Sequence, residues 1–167
     1  MKTLYLVRHA KSSWNFPELP DDKRPLNKRG KRSAPVMGER LLKRQVLPDL
    51  LLSSPAKRAL DTSIIIADVI GYPEKRIQTD SGIYHAASHL LLNIVRKTND
   101  SINSLMMFGH NPGFTDFANR LANTDIWNIP TCGVFACVFH TEHWSNVDFG
   151  KGEVLFYDYP KRKSDTP

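Results

Sequence analysis

Two arginines and two histidines stand in short segments that mix charge with turn residues: Arg8-His9, then Ser53-Ser54-Pro55-Ala56-Lys57-Arg58, then Gly109-His110-Asn111-Pro112-Gly113. A guanidinium is a planar fork of donors suited to phosphoryl oxygens. A neutral imidazole is a competent nucleophile near neutral pH. In one crevice, two guanidiniums, a second histidine and a helix N-terminus can share the charge of a transferring phosphoryl group without a metal. Each segment alone is a weak signal. An Arg-His pair at a strand end, an arginine on a helix and a Gly-Asn-Pro turn all have ordinary structural uses. Their joint placement carries the weight.

That placement is the work of three apolar runs. Leu4-Tyr5-Leu6-Val7, Leu50-Leu51-Leu52 and Leu105-Met106-Met107-Phe108 have the unbroken pattern of strands buried on both faces. Each chemical segment follows one of them. An open α/β sheet binds ligands just past the carboxyl ends of its strands. Apolar spacing predicts a helix over residues 27–45, with Ala34, Met37, Gly38, Leu41 and Leu42 sharing a face. A second helix follows Pro55, carries Ala59, Ile64, Ile65 and Ala67, and stops at Gly71-Tyr72-Pro73. Further helices are expected over 89–97 and 114–122, and further strands over 76–79, 134–139 and 153–157. Residues 11–26, with Pro17, Pro20 and Pro25, read as a long surface loop. The expected fold is an α/β three-layer sandwich around a mostly parallel central sheet with an antiparallel edge strand.

The 167 residues suffice for one domain, expected over 1–160, with a polar basic tail at 161–167 opened by Lys161-Arg162-Lys163. The formal charge of +6 favours an acidic or phosphorylated partner. No RNA-binding signature or zinc-finger spacing points to nucleic acid. No apolar run reaches membrane-spanning length, and the N-terminus has no signal-peptide plan, so a cytoplasmic protein is expected. Cys132 and Cys137 lie an odd number of positions apart and face opposite sides of a strand, as buried free thiols of a reducing compartment. Cys137, His140 and His143 lack a fourth ligand and a zinc-like spacing. Phe135, Phe139, Phe149, Phe156 and Tyr157 read as sheet core.

The segments also resemble a family. Leu6-Val7-Arg8-His9-Ala10-Lys11-Ser12-Ser13-Trp14-Asn15 is similar to the opening motif of the histidine phosphatase (phosphoglycerate mutase-like) superfamily, with Arg-His-Ala for the usual Arg-His-Gly. Pro25-Leu26-Asn27-Lys28-Arg29-Gly30 and Ser53-Ser54-Pro55-Ala56-Lys57-Arg58-Ala59-Leu60-Asp61-Thr62 resemble its next blocks. Gly109-His110-Asn111-Pro112-Gly113 and Pro130-Thr131-Cys132-Gly133 resemble blocks of its small SixA-type phosphohistidine phosphatases. The resemblance implies that His9 is the nucleophile, that Arg8 and Arg58 clamp phosphoryl oxygens, and that His110 is the second pocket histidine. Ser12 and Asn15 match polar positions near the pocket. No metal and no cofactor is implied. Larger members carry a glutamate as proton donor where this chain has Asp80-Ser81-Gly82-Ile83-Tyr84-His85, which leaves Asp80 and His85 as candidate donors.

A leaving imidazole needs less acid help than an alkoxide. Arg58 and His110 are only 52 positions apart, which leaves little room for the roof found in larger relatives. An open cleft admits a phosphorylated side chain on a folded protein. The resemblance therefore implies a phosphatase for phosphohistidine on proteins. The alternatives are a broad-specificity phosphomonoesterase for small phosphorylated substrates and a non-catalytic phosphoprotein-binding module.

Overall fold

In the computed structural model, which describes residues 1–163, the three apolar runs are parallel neighbours in one sheet. They are β1 (Lys2–Arg8), β2 (Leu50–Ser53) and β4 (Ser104–Gly109). β3 (Gln78–Thr79), β5 (Val134–Phe139) and β6 (Glu153–Asp158) complete the order β3-β2-β4-β1-β5-β6. The antiparallel pairing lies at the β6 side, where β5 runs against β1 and β6 against β5. Of the expected strand over 76–79, only the last two residues pair; Arg76 belongs to a 3-10 turn, Glu74–Arg76. Of the tail expected over 161–167, residues 164–167 lie outside the described residues.

The sheet is covered on both faces, which is why its strands carry no alternation. On one face Leu6, Met107 and Phe135 meet α3 (Ser88–Arg96) and α4 (Gly113–Ala122). On the other, Val7, Met106 and Phe108 meet α1 (Lys28–Lys43) and α2 (Lys57–Ile70). Cys137 faces the first layer and Cys132 the second, both buried and free. Phe149 and Tyr157 pack at the margin of the first layer and Phe156 at that of the second.

Two helix faces differ from expectation. On α1 the buried set is Gly30, Ala34, Met37, Gly38 and Leu41, while Leu42 points to solvent. On α2 the deepest positions are Ala59, Thr62, Ser63, Ile66, Ala67 and Ile70; Ile64 and Ile65 are only partly covered. α2 packs on α1 as well as on the sheet, so Ile66 and Ile70 join this core while Ile64 and Ile65 lie toward its edge. α1 begins where the Asn27 side chain accepts from the Gly30 N–H at 2.9 Å, an N-cap. α2 ends at Gly71, whose φ of +87° suits a left-handed cap.

Candidate active site

Strand register brings the two histidines together. Arg8 of β1 pairs with Gly109 of β4, so the next residues, His9 and His110, emerge side by side. The His9 N–H donates to the Gly109 carbonyl at 3.0 Å, and the imidazole centroids stand 5.4 Å apart. A side chain at Gly109 would run into the Phe114 ring, and one at Gly113 into the Ala86 carbonyl. Both glycines are therefore demanded by close packing under the histidines.

His9 is buried, and its Nδ1 lies 2.7 Å from the Ala10 carbonyl. A carbonyl only accepts, so Nδ1 carries the proton and Nε2 keeps a free lone pair. Burial lowers the His9 pKa to about 4; the Ala10 bond opposes this, and repulsion from Arg58, Arg8 and Arg24 adds to it. His110 is lowered to about 3 by burial and by the nearby His9 and Arg58. Both imidazoles are neutral at physiological pH.

The guanidiniums come from different elements. Arg58 rises from the first turn of α2 and is buried. Arg8 ends β1 and donates to the Ile129 carbonyl at 2.8 Å. Thr62, one turn after Arg58, braces them. Its hydroxyl donates to the Arg58 carbonyl at 2.7 Å and accepts from the Ala10 N–H at 3.0 Å. The i, i+4 spacing of Arg and Thr in this block thus ties α2 to the end of β1. Asn111 does the same for the far wall, donating to Asn128 and Ile129 and accepting from the Thr115 N–H and hydroxyl.

Among the described residues, three buried side-chain nitrogens have no hydrogen-bond partner: Arg8 Nε, Arg58 Nε and His110 Nδ1. All three belong to this site. Elsewhere buried polar groups are paired, as the cost of desolvation requires.

The pocket of about 250 Å³ holds Arg8, His9, Arg58 and His110 together, with Ser12 in its wall. Ser12 accepts from Arg24 at 2.9 Å. Asn15 lies outside this pocket, in a neighbouring one on the other side of the loop. Asp80 is also outside; its carboxylate caps the Ser81–Ile83 turn by accepting from the Gly82 N–H at 2.8 Å. His85 is at the mouth, held at φ +55°. Its ring packs on Tyr84 and lies 5.6 Å from the His110 ring. Beyond it a second cavity of about 480 Å³ opens between His85, His110, Pro112 and Asp116.

Two pocket residues are not expected from the sequence. Arg24 reaches in from the loop with its guanidinium 3.8 Å above the Trp14 ring. Asp21 accepts from Arg58 twice, 2.7 Å to its carbonyl and 2.9 Å to its carboxylate. Its carboxylate also meets the Tyr84 hydroxyl, Arg24 and His85. Burial pushes this carboxyl up, but the Tyr84 and Arg58 bonds win and hold it well below the usual range. An isolated Asp-Asp pair in a proline-rich loop gives no periodic signal. Arg24 sits directly before the Pro-Leu-Asn block and is detectable only by its adjacency.

Away from the pocket, His140 pairs with Glu153 and His143 with Asp100, so neither joins Cys137. Among the described residues no three His, Cys, Asp or Glu side chains converge as metal ligands, and no helix is long and apolar enough to cross a membrane.

The sequence model of the histidine phosphatase superfamily (branch 1) matches residues 4–84, a span that carries Arg8, His9, Arg58 and Thr62 in this geometry. Over that span, just under half of its length, the chain is similar to the histidine phosphatase superfamily. An uncharacterized chloroplastic protein of Arabidopsis thaliana is 33% identical over 139 residues, or 78% of this chain. The match covers 63% of that relative, so this chain spans less than two thirds of its length. The fold of the chain is phosphoglycerate mutase-like. The SixA structure from Agrobacterium tumefaciens matches with a TM-score of 0.82 at 24% identity, covering 95% of this chain and 98% of that one. A protein histidine phosphatase SixA in complex with tungstate matches with a TM-score of 0.80 at 19% identity, covering 95% and 97%.

Proposed function

We propose that this chain is a histidine phosphatase that removes phosphoryl groups from phosphohistidine on proteins through a covalent phosphohistidine at His9. The observation that carries the reading is the coincidence of a neutral, tautomer-fixed His9 with the three unpartnered nitrogens of Arg8, Arg58 and His110. A nucleophile with a free lone pair shares its pocket with two guanidiniums, groups whose natural acceptor is a multi-oxygen anion.

In the first step His9 Nε2 attacks phosphorus in line. The substrate P–N bond breaks as the new P–Nε2 bond forms, and the departing imidazole takes a proton from solvent water. Arg8, Arg58 and His110 spread the charge of the equatorial oxygens. In the second step water attacks phosphorus, the P–Nε2 bond breaks, and inorganic phosphate leaves with His9 restored.

A protein substrate is supported by the shape of the site. The segment from Arg58 to His110 folds into α2, a 3-10 turn, β3, a second 3-10 turn, α3 and β4, with no further α-helix between them to roof the pocket. The exposed Trp14 stands at the mouth. The two buried free thiols, both pushed up to about 12 by burial, suit a reducing compartment such as the cytoplasm. One observation favours a second reading. His85 at the mouth, within 3.3 Å of the Asp21 carboxylate, is placed to protonate an alkoxide, as a small-ester phosphatase requires.

The test is mass spectrometry of protein quenched at high pH after mixing with a histidine-phosphorylated protein, beside His9→Ala. A transient phosphoryl adduct at His9 with phosphate release is expected. An adduct only with small esters moves the reading to the second one. No adduct and no phosphate with any donor leaves a phosphoprotein-binding module.

A further inference from the structure

The positive charge of this chain is concentrated beside the pocket. Between positions 11 and 32 there are seven basic and three acidic side chains, a net +4 of the chain's +6. Four of the seven, Lys28, Arg29, Lys31 and Arg32, crowd the start of α1 and are exposed. This is the wrong end of the helix for them: the dipole there favours anions and repels cations. The first turn holds no acidic residue, and none of the four has an ion-pair partner among the described residues. Burial does not explain them, and local pairing does not offset them.

The same turn borders an open cavity of about 590 Å³ whose other wall is the loop, with Asn15 and Phe16. Phe16 and Trp14 are both exposed apolar side chains of that loop, Trp14 at 73%. The surface is fastened to the chemistry. The Asn27 N–H donates to the Lys11 carbonyl at 3.0 Å. A Cβ at Gly30 would sit 2.2 Å from the same carbonyl oxygen. Lys11 is two residues past His9 and, with Trp14 and Arg24, lines the His9 pocket. The cationic turn therefore has a fixed position on one flank of the pocket mouth.

We propose that the first turn of α1, together with Phe16 and Trp14, is a docking surface for the acidic face of the phosphorylated protein whose phosphohistidine enters the pocket. The inference rests on the protein-phosphohistidine reading above and adds where the partner sits and what it must present. A small substrate fills the pocket without reaching this turn. A folded partner covers the turn with carboxylates, which relieves the charge conflict at the helix end. The exposed aromatic pair supplies the apolar contact that interface anchors commonly provide.

The test is the triple charge reversal Lys28→Glu, Arg29→Glu, Arg32→Glu. Acidic residues suit a helix first turn, so the variant is expected to melt no lower than the wild type. Three probes are used: a histidine-phosphorylated phosphotransfer domain with an acidic surface, phosphoramidate, and poly-L-glutamate. The expected result is a loss of about tenfold or more in kcat/KM on the domain, with a flatter salt dependence. Phosphoramidate turnover stays within about twofold, because small substrates bypass the surface. Poly-L-glutamate binds the wild type, competes with the domain and fails to bind the variant. Wild-type activity of the variant on the domain overturns the proposal. So does an equal loss on both substrates, or a wild type that does not bind poly-L-glutamate. If the wild type binds the domain and poly-L-glutamate but turns over no phosphohistidine, the docking surface stands and the catalytic reading falls.

Discussion

Asp21 and Arg58 are engaged face to face, the Asp21 carbonyl and carboxylate taking both terminal nitrogens of the guanidinium at 2.7 and 2.9 Å. This contact occupies the fork that a phosphoryl group requires. An incoming anion must displace the carboxylate from Arg58, and the loop carrying Asp21 must yield. Because Asp21 is held below the usual carboxylate range, protonation does not release Arg58 near neutral pH.

Asp21→Asn should therefore tighten oxyanion binding. Inhibition by tungstate or phosphate is expected to strengthen by about 3- to 10-fold, roughly the value of one exposed charge-assisted contact. An inhibition constant that is unchanged or weaker in the variant would show that the carboxylate does not compete for Arg58.

The depressed histidines make stability depend on pH. His9 and His110 have folded values of about 4 and about 3, below the roughly 6.5 of an unfolded chain. Between those limits the unfolded chain binds more protons, so stability rises with pH there. Their contribution is complete above about 6.5 and is lost as pH falls toward about 4. Urea titrations at pH 7 and pH 5 should differ by ~1–3 kcal/mol, with a smaller difference in His9→Gln. An identical pH dependence in the variant would contradict a buried neutral His9. Phosphoryl transfer to His9 should persist at pH 5, where the imidazole is still unprotonated.

Thr62→Val keeps the shape but removes the brace between α2 and β1. It leaves the buried Ala10 N–H without its acceptor, a loss of ~1–3 kcal/mol readable from the denaturation midpoint. Thr62→Ser restores the hydroxyl and should sit near wild type in stability and in kcat/KM. If Val and Ser behave alike, the hydroxyl is not what joins the two elements.

The two candidate donors separate cleanly by substrate. Asp80→Asn still offers an oxygen to the Gly82 N–H and lies outside the pocket, so its activity should stay within about twofold on every substrate. His85→Gln should leave P–N substrates nearly untouched. On alkyl phosphates it should cost ~10²-fold or more, if His85 serves as their acid. An equal fall on both classes would assign His85 to binding rather than to proton transfer.

The legible parts of this molecule are those written in strand ends. Leu4–Val7, Leu50–Leu52 and Leu105–Phe108 declare doubly covered strands, and Arg8, His9, Arg58 and His110 follow from where those strands stop. The loop was not legible, because its path is set by contacts distant in sequence. The bridge between Ser12 and Leu26 and the grip of Arg58 on Asp21 turn a proline-rich stretch into a pocket wall. No periodicity encodes either. Leu42 and Ile64 misled for a related reason: apolar spacing marks a helix face, but the neighbour that covers it decides which edge of that face is deep. Asn15 and Asp80 are near the pocket in sequence, yet the loop bends the first away and a 3-10 turn retains the second as a cap.

β1 lies inside the sheet between β4 and β5, so the residue that follows it, His9, is rooted in a segment whose amides should be among the last to exchange with solvent. The loop and the cationic helix turn are surface features, fastened to that root through the Lys11 carbonyl and to α2 through Asp21 and Arg58. The two halves can therefore diverge at different speeds. Substitutions can accumulate along the rim and change what docks there, while Arg8, His9, Arg58 and His110 stay in place.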